Sequence, residues 1–546
     1  MSKNKEITRK KALKQIGGLV LGVPSLISSL AATSKKPENT FPNIITRRGS
    51  KKPNVLWITS EGTPLSVLSC YQDNVWGDLR SSLIDTPNIC RIAQEGLRFQ
   101  NSFCTNALCA PSRATLLTGK YSHENGVLSN ENVDASGYPS GNSFDTSQTT
   151  FPKIFRHHGY QTALVGKWHL QSSKDPSQPA NPGEAGFDKF TFKNGAGTGY
   201  YDQNGYLQNP YPGSTTIEEK SYQGYSTDVF TDLAIQNMKA FNSNNKPFLM
   251  MVQYFNDHRA FTPPHKYENL FKGKHIQEPA TFWDDYKHRS TAAEAARMRV
   301  EYMPDYNPPK NLTGRQRKQY NYQEFLSRFL ATYKAQDDNV GRLLNYLDQS
   351  GLADNTIVVY TSDHGFFLGD HGWLDKRFMY EQAIRVPWII RYPGVIEKGS
   401  ITDKWGINID NAPTILDLAN LPIPEDMQGQ SLKPIIEGKS NDDLGNALYY
   451  HYYEFADGNH FALPNYGVRT DRYKLINYYS ENQWELFDLK KDPNEMDSLF
   501  NWYGYSVHPE YEKVAQDLVE KMKQLREKYN DTTGPSIKMW PTKDYD

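Results

Sequence analysis

The chain of 546 residues contains only four cysteines: Cys70, Cys90, Cys104 and Cys109. So few thiols exclude a disulfide-based scaffold for a chain of this length, and the lack of a Cys-x-x-Cys pair argues against a structural zinc site. A surplus of one charge is also absent, since 61 Lys and Arg residues face 62 Asp and Glu residues. A balanced chain has no overall field for nucleic acid or an anionic membrane. We therefore predict no nucleic-acid partner, and attraction for an anionic ligand must be local.

An apolar run near the amino terminus is too short to span a membrane comfortably. It covers residues 16–30, follows a basic segment and precedes two alanines. This order is typical of a cleaved export signal. We predict a signal peptide over residues 1–32, a polar linker over 33–52, and a secreted or periplasmic protein with no stable membrane insertion. An uncleaved anchor is the alternative.

Short apolar runs of the buried-strand type recur along the chain, separated by helical patterns. The runs cover residues 55–59, 162–165, 248–254, 357–361 and 388–390. The clearest helical pattern covers residues 319–347, where apolar side chains recur at Phe325, Phe329 and Tyr333. Strands that alternate with helices predict an α/β fold with a mostly parallel sheet covered on both faces. In such sheets, functional residues gather at the carboxyl ends of strands.

Beyond about residue 441 the pattern changes to short runs that are typical of antiparallel strands with tight turns. The runs cover residues 448–455, 466–469, 472–476 and 484–488. A helix follows, with Pro509 at its start and an apolar stripe on one face. We predict a main domain over residues 53–440 and a smaller α+β subdomain with an antiparallel sheet over 441–546.

One segment carries a dense motif: Cys109 begins the pattern C-x-P-S-R-x-x-L-x-T-G. Arg113 lies about one helical turn beyond Cys109 if this stretch is helical. Polar residues also follow three of the predicted strands, where a parallel sheet would bring them together. They are Glu61 after the first run, Gly166-Lys167-Trp168-His169 after the second, and Asp363-His364-Gly365 after the fourth, with His371 and Lys376 further on.

These residue types suit the cleavage of a sulfate monoester. Because negative charge builds on the leaving oxygen, the reaction needs a metal, cations that hold the sulfate oxygens, and an acid for the leaving group. Glu61 and Asp363 supply the hard oxygen ligands that Ca²⁺ and Mg²⁺ prefer. Arg113, Lys167 and Lys376 supply positive charge.

In this order along the chain, the segments resemble the motifs of the type I sulfatases. The resemblance covers most of residues 53–387 and extends to the pattern G-V-R-T-D-R-Y-K-L at 467–475. It implies an alkaline-phosphatase-like fold, with a mixed, mostly parallel sheet and a smaller C-terminal subdomain. It also implies that a formylglycine-generating maturation enzyme converts Cys109 to formylglycine. The hydrate of formylglycine would attack sulfur and form a sulfated enzyme.

The resemblance also implies the roles of single residues. The implied catalytic residues are Cys109, Arg113, Lys167, His169, His258 and Lys376. Among them, His258 or Lys376 would protonate the leaving alcohol, and His169 would accept the proton that allows sulfate to be expelled. The implied ligands of Ca²⁺, with Mg²⁺ as the alternative, are Glu61, Cys109, Asp363 and His364. The candidate substrate contacts are His258 and Lys376, together with two histidines suggested by their positions alone: His371 beyond Asp363-His364-Gly365, and His451 in the aromatic run near the carboxyl end.

Two departures from the family pattern concern the metal ligands. The family usually has two adjacent acidic ligands after the first strand, whereas Gly62 follows Glu61 here. At the fourth ligand position His364 replaces the usual Asn, and a nitrogen donor is softer than an amide oxygen. We therefore predict a cation site that is retained but looser than in the family.

The predicted function is hydrolysis of sulfate monoesters on a sulfated polysaccharide or oligosaccharide by an exported enzyme. Export and an aromatic content of 13% favour a carbohydrate substrate over a small aryl ester. Algal polysaccharides such as ulvan or carrageenan and animal glycosaminoglycans all stay open. One alternative is a phosphatase or phosphodiesterase of the same fold, since Asp-His-Gly also serves two-metal phosphoryl sites. The other is a non-catalytic sugar-binding relative, which Gly62 suggests.

Overall fold

The computed structural model describes residues 51–72, 84–130, 141–194, 204–255, 259–303, 305–439, 446–455, 460–501 and 503–540. The predicted signal peptide, nearly all of the predicted linker and His258 lie outside these residues. In the described part of the chain, no helix is both long enough and apolar enough to cross a bilayer.

The strands and helices follow the alternation that the sequence predicts. The strands are β1 (Asn54–Ser60), β2 (Leu97–Phe103), β3 (Gln161–Lys167), β4 (Lys189–Lys193), β5 (Tyr206–Gln208), β6 (Glu218–Lys220), β7 (Phe248–Gln253), β8 (Thr356–Ser362), β9 (Phe367–Leu368), β10 (Leu374–Asp375), β11 (Trp388–Arg391), β12 (Ser400–Ile407), β13 (Ala447–Tyr452), β14 (Asn465–Thr470), β15 (Tyr473–Tyr478) and β16 (Gln483–Asp488). The helices are α1 (Pro87–Gln94), α2 (Cys109–Thr118), α3 (Ser122–Asn125), α4 (Phe151–His157), α5 (Ser226–Ser243), α6 (Thr291–Ala295), α7 (Gly314–Gln349), α8 (Glu381–Ile384), α9 (Asn411–Leu418), α10 (Lys433–Ile436) and α11 (Glu512–Lys528). The five predicted apolar runs correspond to β1, β3, β7, β8 and β11, and the predicted helix 319–347 falls inside α7.

Ten of the described strands form one sheet, in the order β12-β2-β11-β8-β1-β7-β3-β4-β5-β6. β1 lies near its centre and pairs in parallel with β7 on one side and β8 on the other. β3 continues the parallel part beyond β7, whereas β11 pairs antiparallel with both β8 and β2. The mixed, mostly parallel sheet predicted from the sequence is confirmed.

Helices cover both faces of the central strand β1. Successive side chains of a strand point to opposite faces, so neighbouring residues of β1 contact different helices. Leu56 and Ile58 belong to an apolar cluster that includes Phe329 of α7. Trp57 points to the other face, where its ring lies 5.5 Å from that of Phe151 in α4. All seven residues of β1 are buried. Burial on both faces explains why this strand is a continuous apolar run in the sequence instead of an alternating one.

A second sheet forms near the carboxyl end of the chain. Its four strands, β13 to β16, pair antiparallel in sequence order, and α11 places Leu518 and Met522 in the apolar cluster beside them. The predicted antiparallel sheet with a following helix is confirmed. Phe103 and Trp405, from strands of the large sheet, belong to the same cluster. The domain boundary between residues 440 and 441 therefore stays a prediction.

Candidate active site

Two acidic residues meet because the strands that precede them are neighbours in the large sheet. β1 and β8 run parallel, with Ser60 opposite Ser362, and Glu61 and Asp363 are the next residues along the chain. Both side chains are buried, with Glu61 2% and Asp363 0% exposed. The register therefore places two carboxylates side by side at the carboxyl ends of the strands, where α/β sheets form their sites.

Cys109 is the first residue of α2, and this helix brings it to the two carboxylates. Its Sγ lies 3.0 Å from Oε1 of Glu61 and 3.4 Å from Nε2 of His364. Arg113 follows about one turn later, and its Nη2 lies 2.9 Å from Oδ2 of Asp363 and 3.2 Å from Oε2 of Glu61. The helix thus gives Cys109 and Arg113 the spacing that the motif predicts.

Four buried side chains form the candidate cation site. The donor atoms of Glu61, Cys109, Asp363 and His364 all lie within 4.8 Å of one another. Carboxylate oxygens are the donors that Ca²⁺ and Mg²⁺ prefer, and the imidazole adds one nitrogen. Nδ1 of His364 lies 2.7 Å from the carbonyl oxygen of Gly365. A hydrogen bond from Nδ1 leaves Nε2 available as a ligand, so this set of donors fits a divalent cation.

The structure shows why no second carboxylate follows Glu61 after β1. Gly62 has a φ of +59°, in the left-handed region that favours glycine. A Cβ added there would lie 3.0 Å from Cδ2 of Phe366 and 3.4 Å from Cε1 of His364. The ring of His364 therefore stands beside the space into which a side chain at position 62 would extend. The two departures from the family pattern lie in contact with each other.

Strands β3 and β7 add a cation and an amide to the cluster. Lys167 ends β3, is fully buried, and places its Nζ 2.6 Å from each carboxylate oxygen of Glu61. Gln253 ends β7, and its Oε1 accepts a hydrogen bond from Nη1 of Arg113. Gln253 is not among the predicted site residues. The available signal is a polar residue at the end of an otherwise apolar strand.

The surrounding charges act on the thiol of Cys109. Burial and the carboxylate of Glu61 raise its pKa, whereas Lys167, Lys376 and His364 lower it, and the net result is a pKa of about 6. Position 109 therefore favours an anion even though it is shielded from water. The same field suits the negative charge of a sulfate group.

His169 lies two residues beyond the end of β3, with a φ of +60°. Its carbonyl oxygen accepts a hydrogen bond of 3.0 Å from Nδ2 of Asn142. Burial of the ring, together with the charge of Lys167, holds the pKa of His169 well below its usual value. The imidazole is therefore neutral near pH 7 and able to accept a proton.

Lys376 belongs to a group of buried charges beside β10. Its Nζ lies 3.1 Å from Oδ1 of Asp375 and 5.7 Å from the ring centre of Phe366. Burial lowers the pKa of Lys376, but Asp375 outweighs burial and raises the pKa above its usual value. Arg377 and His460 contact Asp375 at 2.9 and 3.0 Å. Asp375 and Arg377 are not predicted site residues; the available signal is that opposite charges flank Lys376 in the sequence.

Two of the predicted substrate contacts lie in other clusters. His371 is fully buried, and its Nδ1 lies 2.9 Å from Oδ2 of Asp284. His451 is also buried, and its Nδ1 lies 2.8 Å from Oδ2 of Asp531. These contacts link buried side chains to one another. The assignment of both histidines to the substrate stays a prediction, as does that of His258.

A family model described as "Sulfatase" matches residues 53–421. The chain belongs to the sulfatase family. A second model, described as "N-sulphoglucosamine sulphohydrolase, C-terminal", matches residues 369–528 of this sulfatase. The chain is 38% identical over 532 residues to an N-acetylglucosamine-6-O-sulfatase of Bacteroides thetaiotaomicron, with 88% of each chain covered. It is 26% identical to an ulvan-active sulfatase of Formosa agariphila, with 90% and 87% covered.

Solved structures agree with this membership. One was solved in complex with its substrate, D-glucosamine-2-N,6-O-disulfate; it has a TM-score of 0.76 and 37% identity, and covers 88% of this chain and 99% of its own. A phosphonate monoester hydrolase of Agrobacterium radiobacter shares the fold, with a TM-score of 0.64 at 19% identity and 87% and 96% coverage. The sulfatase is therefore a sulfuric ester hydrolase, and its predicted fold class is confirmed.

Proposed function

We propose that this sulfatase removes the 6-O-sulfate from glucosamine units of a sulfated glycan. The observation that carries the chemistry is the meeting of Cys109 with Glu61, Asp363 and His364 within 4.8 Å. The substrate is supported by the relative named N-acetylglucosamine-6-O-sulfatase and by the related structure whose substrate is D-glucosamine-2-N,6-O-disulfate. Among the glycans that the sequence leaves open, both relatives favour a glycosaminoglycan over ulvan or carrageenan.

The proposed nucleophile derives from Cys109, which a maturation enzyme would oxidise to formylglycine. The hydrate of this aldehyde supplies the hydroxyl that attacks sulfur. Position 109 suits the role because it opens α2, where the backbone N–H groups of the first turn favour negative charge. Arg113 and Lys167 reach the same place and would hold the sulfate oxygens.

The proposed cation is Ca²⁺, with Mg²⁺ as the alternative. Glu61, Asp363, His364 and residue 109 would hold it, because their donor atoms already lie close together. When bound, the cation polarises the sulfate oxygens and favours ionisation of the attacking hydroxyl. Gly62 adds no donor, so the protein supplies fewer ligands than the family pattern.

His169 and Lys376 are proposed as the base and the acid. Nδ1 of His169 is buried and has no hydrogen-bond partner among the described residues, and the lowered pKa keeps the ring ready to accept a proton. Lys376 stays protonated because Asp375 outweighs burial and raises its pKa. The charged Nζ can therefore stabilise the negative charge that builds on the leaving alcohol oxygen and supply its proton.

We further propose that the enzyme acts in the periplasm or outside the cell. The support is the basic segment followed by an apolar run within residues 1–32. Amino-terminal sequencing of the protein from each cell fraction tests this, with a mature chain expected to begin near residue 33. A full-length chain in the membrane fraction would favour the uncleaved anchor.

The mass of the tryptic peptide that contains Cys109 tests the nucleophile. Protein from cells that express a formylglycine-generating enzyme is compared with protein from cells that lack it. We expect the peptide to lose sulfur and gain an aldehyde only in the first sample. An unmodified thiol in both samples would contradict maturation at Cys109.

Release of free sulfate tests the substrate. The panel contains N-acetylglucosamine-6-sulfate, a 4-O-sulfated N-acetylgalactosamine and N-acetylglucosamine-6-phosphate. We expect sulfate only from the first compound. The Cys109→Ala variant, which has no thiol to oxidise, should release none while it keeps its circular dichroism spectrum. Release of phosphate without sulfate would identify a phosphatase of the same fold.

A further inference from the structure

A cavity of about 560 Å³ opens beside the first turn of α7. None of its lining residues belongs to the cluster around Cys109. It is lined by Trp283, Glu301, Tyr302, Arg315, Arg317 and Lys318. Three cations therefore face a single carboxylate in a chain whose net charge is only −1. The charge of this cavity suits an anion.

Two aromatic rings complete the lining. Tyr302 is 59% exposed, which is unusual for a large ring. Trp283 is half-buried, and the guanidinium of Arg315 lies 4.6 Å from its ring centre. A flat exposed ring beside cations offers an apolar surface for the face of a sugar and positive charge for its substituents.

The contacts within the described residues leave most of this charge available. Lys318 is buried and lies 3.6 Å from Glu301, so these two groups offset each other. Arg315 and Arg317 are exposed. No described acidic residue forms an ion pair with Arg317. Two guanidinium groups therefore remain to hold an external anion, and guanidinium binds sulfate-like oxygens with paired N–H groups.

The backbone ties this cavity to the loop that carries Lys376. The N–H of Leu374 donates to the carbonyl oxygen of Met298 at 2.9 Å. Lys376 lies two residues beyond Leu374, and Tyr302 lies four residues beyond Met298. Chain geometry limits the Cα separation of Tyr302 and Lys376 to at most about 27 Å. A glycan of a few units can span that distance.

We propose that this cavity binds a second, sulfated sugar unit of the glycan whose ester is hydrolysed at Cys109. The inference rests on the proposed function, because it takes the ligand to be part of the same chain. Tyr302 would stack on the ring of that unit, and Arg315 and Arg317 would bind its sulfate. The site would thus raise the affinity for oligosaccharides without contributing to the reaction itself.

The test compares kinetics on two substrates. One is N-acetylglucosamine-6-sulfate, and the other is a sulfated tetrasaccharide that ends in the same unit. The variants are Tyr302→Ala and Arg317→Ala. The control is Lys272→Ala in a second cavity, where Glu268 and Glu324 offset two of the three cations Lys272, Lys274 and Arg328.

For the tetrasaccharide, we expect the KM of both variants to rise about three- to tenfold with kcat unchanged. For the monosaccharide, KM and kcat should match the wild type, and the Lys272→Ala control should change neither substrate. An unchanged KM for the tetrasaccharide, or an equal change for both substrates, would overturn the proposal.

A binding measurement separates failure of this inference from failure of the proposed function. If the wild type releases no sulfate from either substrate, the proposed function fails. Calorimetric titration with the sulfated tetrasaccharide and its desulfated counterpart then still tests the cavity. If Arg317→Ala binds the sulfated tetrasaccharide more weakly than the wild type does, and the desulfated one equally well, the proposed site is supported. If all variants have the same affinity as the wild type, the proposal is overturned.

Discussion

Two separate features of the structure favour glycine at position 62: the backbone conformation and the space around the Cα atom. Its φ of +59° strains any residue with a Cβ, and the added atom would lie 3.0 Å from Phe366 and 3.4 Å from His364. The loop after β1 therefore disfavours a carboxylate at this position as long as Phe366 and His364 occupy their present places. In the candidate cation site, the nitrogen donor of His364 therefore stands where a second oxygen donor beside Glu61 would extend.

Gly62→Ala should lower the free energy of unfolding by about 1–3 kcal/mol, because it combines backbone strain with crowding. It should also weaken Ca²⁺ binding, because the added methyl group crowds Phe366 and stands against the ring of His364. Urea denaturation and calorimetric titration measure the two effects. Gly351→Ala is the matched control, since Gly351 has a φ of +68° with nothing within 4 Å of an added Cβ. If both variants lose the same stability and keep the same Ca²⁺ affinity, crowding at Gly62 is contradicted.

The pH dependence of turnover should reflect the environment of His169. Its lowered pKa means that the ring stays neutral as pH falls through its usual value of 6.5. We expect kcat to stay constant through pH 6.5 and to fall only at lower pH. His169→Gln, which cannot accept the proton, should lower kcat at least about 100-fold. An acidic limb centred at pH 6.5 or above would contradict a neutral His169 as the base.

Residue identity explains which parts of the site could be predicted. Cys109, Arg113, Lys167 and Asp363 stand in short local patterns, so the sequence alone indicates them. The sequence marks Gln253 only as a polar residue at the end of an apolar strand, and its contact with Arg113 depends on the end of β7 lying beside the end of β3. That pairing is a property of the whole sheet and leaves no local trace.

At the scale of elements, aromatic side chains of α7 pack against residues that line the candidate active site. Phe329 is fully buried, and its ring centre lies 5.4 Å from that of Phe261 and 5.9 Å from that of Phe366. Phe366 in turn faces Gly62 and Lys376. The helix therefore fixes one wall of the candidate active site as well as the core.

Phe329→Ala should lower the free energy of unfolding by about 3–5 kcal/mol, because it leaves a cavity in a closed aromatic cluster. Urea denaturation monitored by circular dichroism measures the change. Asn345→Ala, at an exposed position of the same helix, is the control and should change stability by less than about 0.5 kcal/mol. A loss below about 1 kcal/mol for Phe329→Ala would contradict tight packing at this position.

The strands differ in how far their sequences revealed them. β1, β7 and β8 could be predicted because burial on both faces requires continuous apolar runs. β6 is exposed throughout, and its sequence Glu-Glu-Lys carries no strand pattern. The order of strands in the sheet could not be predicted from short sequence patterns either, because strands that pair in a parallel sheet lie far apart in the chain.

At the scale of the whole molecule, buried charges join α8, the helix before β11, to the C-terminal sheet. Glu381 begins α8 and lies 3.1 Å from Nη2 of Arg469 and 2.8 Å from Nζ of Lys474. Burial raises the pKa of Glu381, but these two cations outweigh burial and hold the pKa well below its usual value. The ionised carboxylate therefore contributes to stability above its usual pKa, and the contribution is lost as pH falls below it.

Glu381→Gln should lower the free energy of unfolding by about 3–5 kcal/mol at pH 7, because it leaves Arg469 and Lys474 buried without this partner. The difference in the free energy of unfolding between the wild type and this variant should shrink by up to about 1.4 kcal/mol per pH unit below about pH 4.5. Urea denaturation at pH 7 and pH 3.5 measures both. Glu397→Gln, at an exposed position, is the control. A gap that does not change with pH would contradict the role of the charge.

The pairing of β1 with β8 also has a consequence in time. Ser60 and Ser362 hydrogen-bond to each other although they lie 302 positions apart. During synthesis, Cys109 leaves the ribosome when more than half of the chain, including Asp363 and His364, is still to be made. The finished fold encloses Cys109 completely. We therefore expect a maturation enzyme to reach this thiol before β8 enters the sheet, so the closing of the central sheet would end the period in which formylglycine can be made.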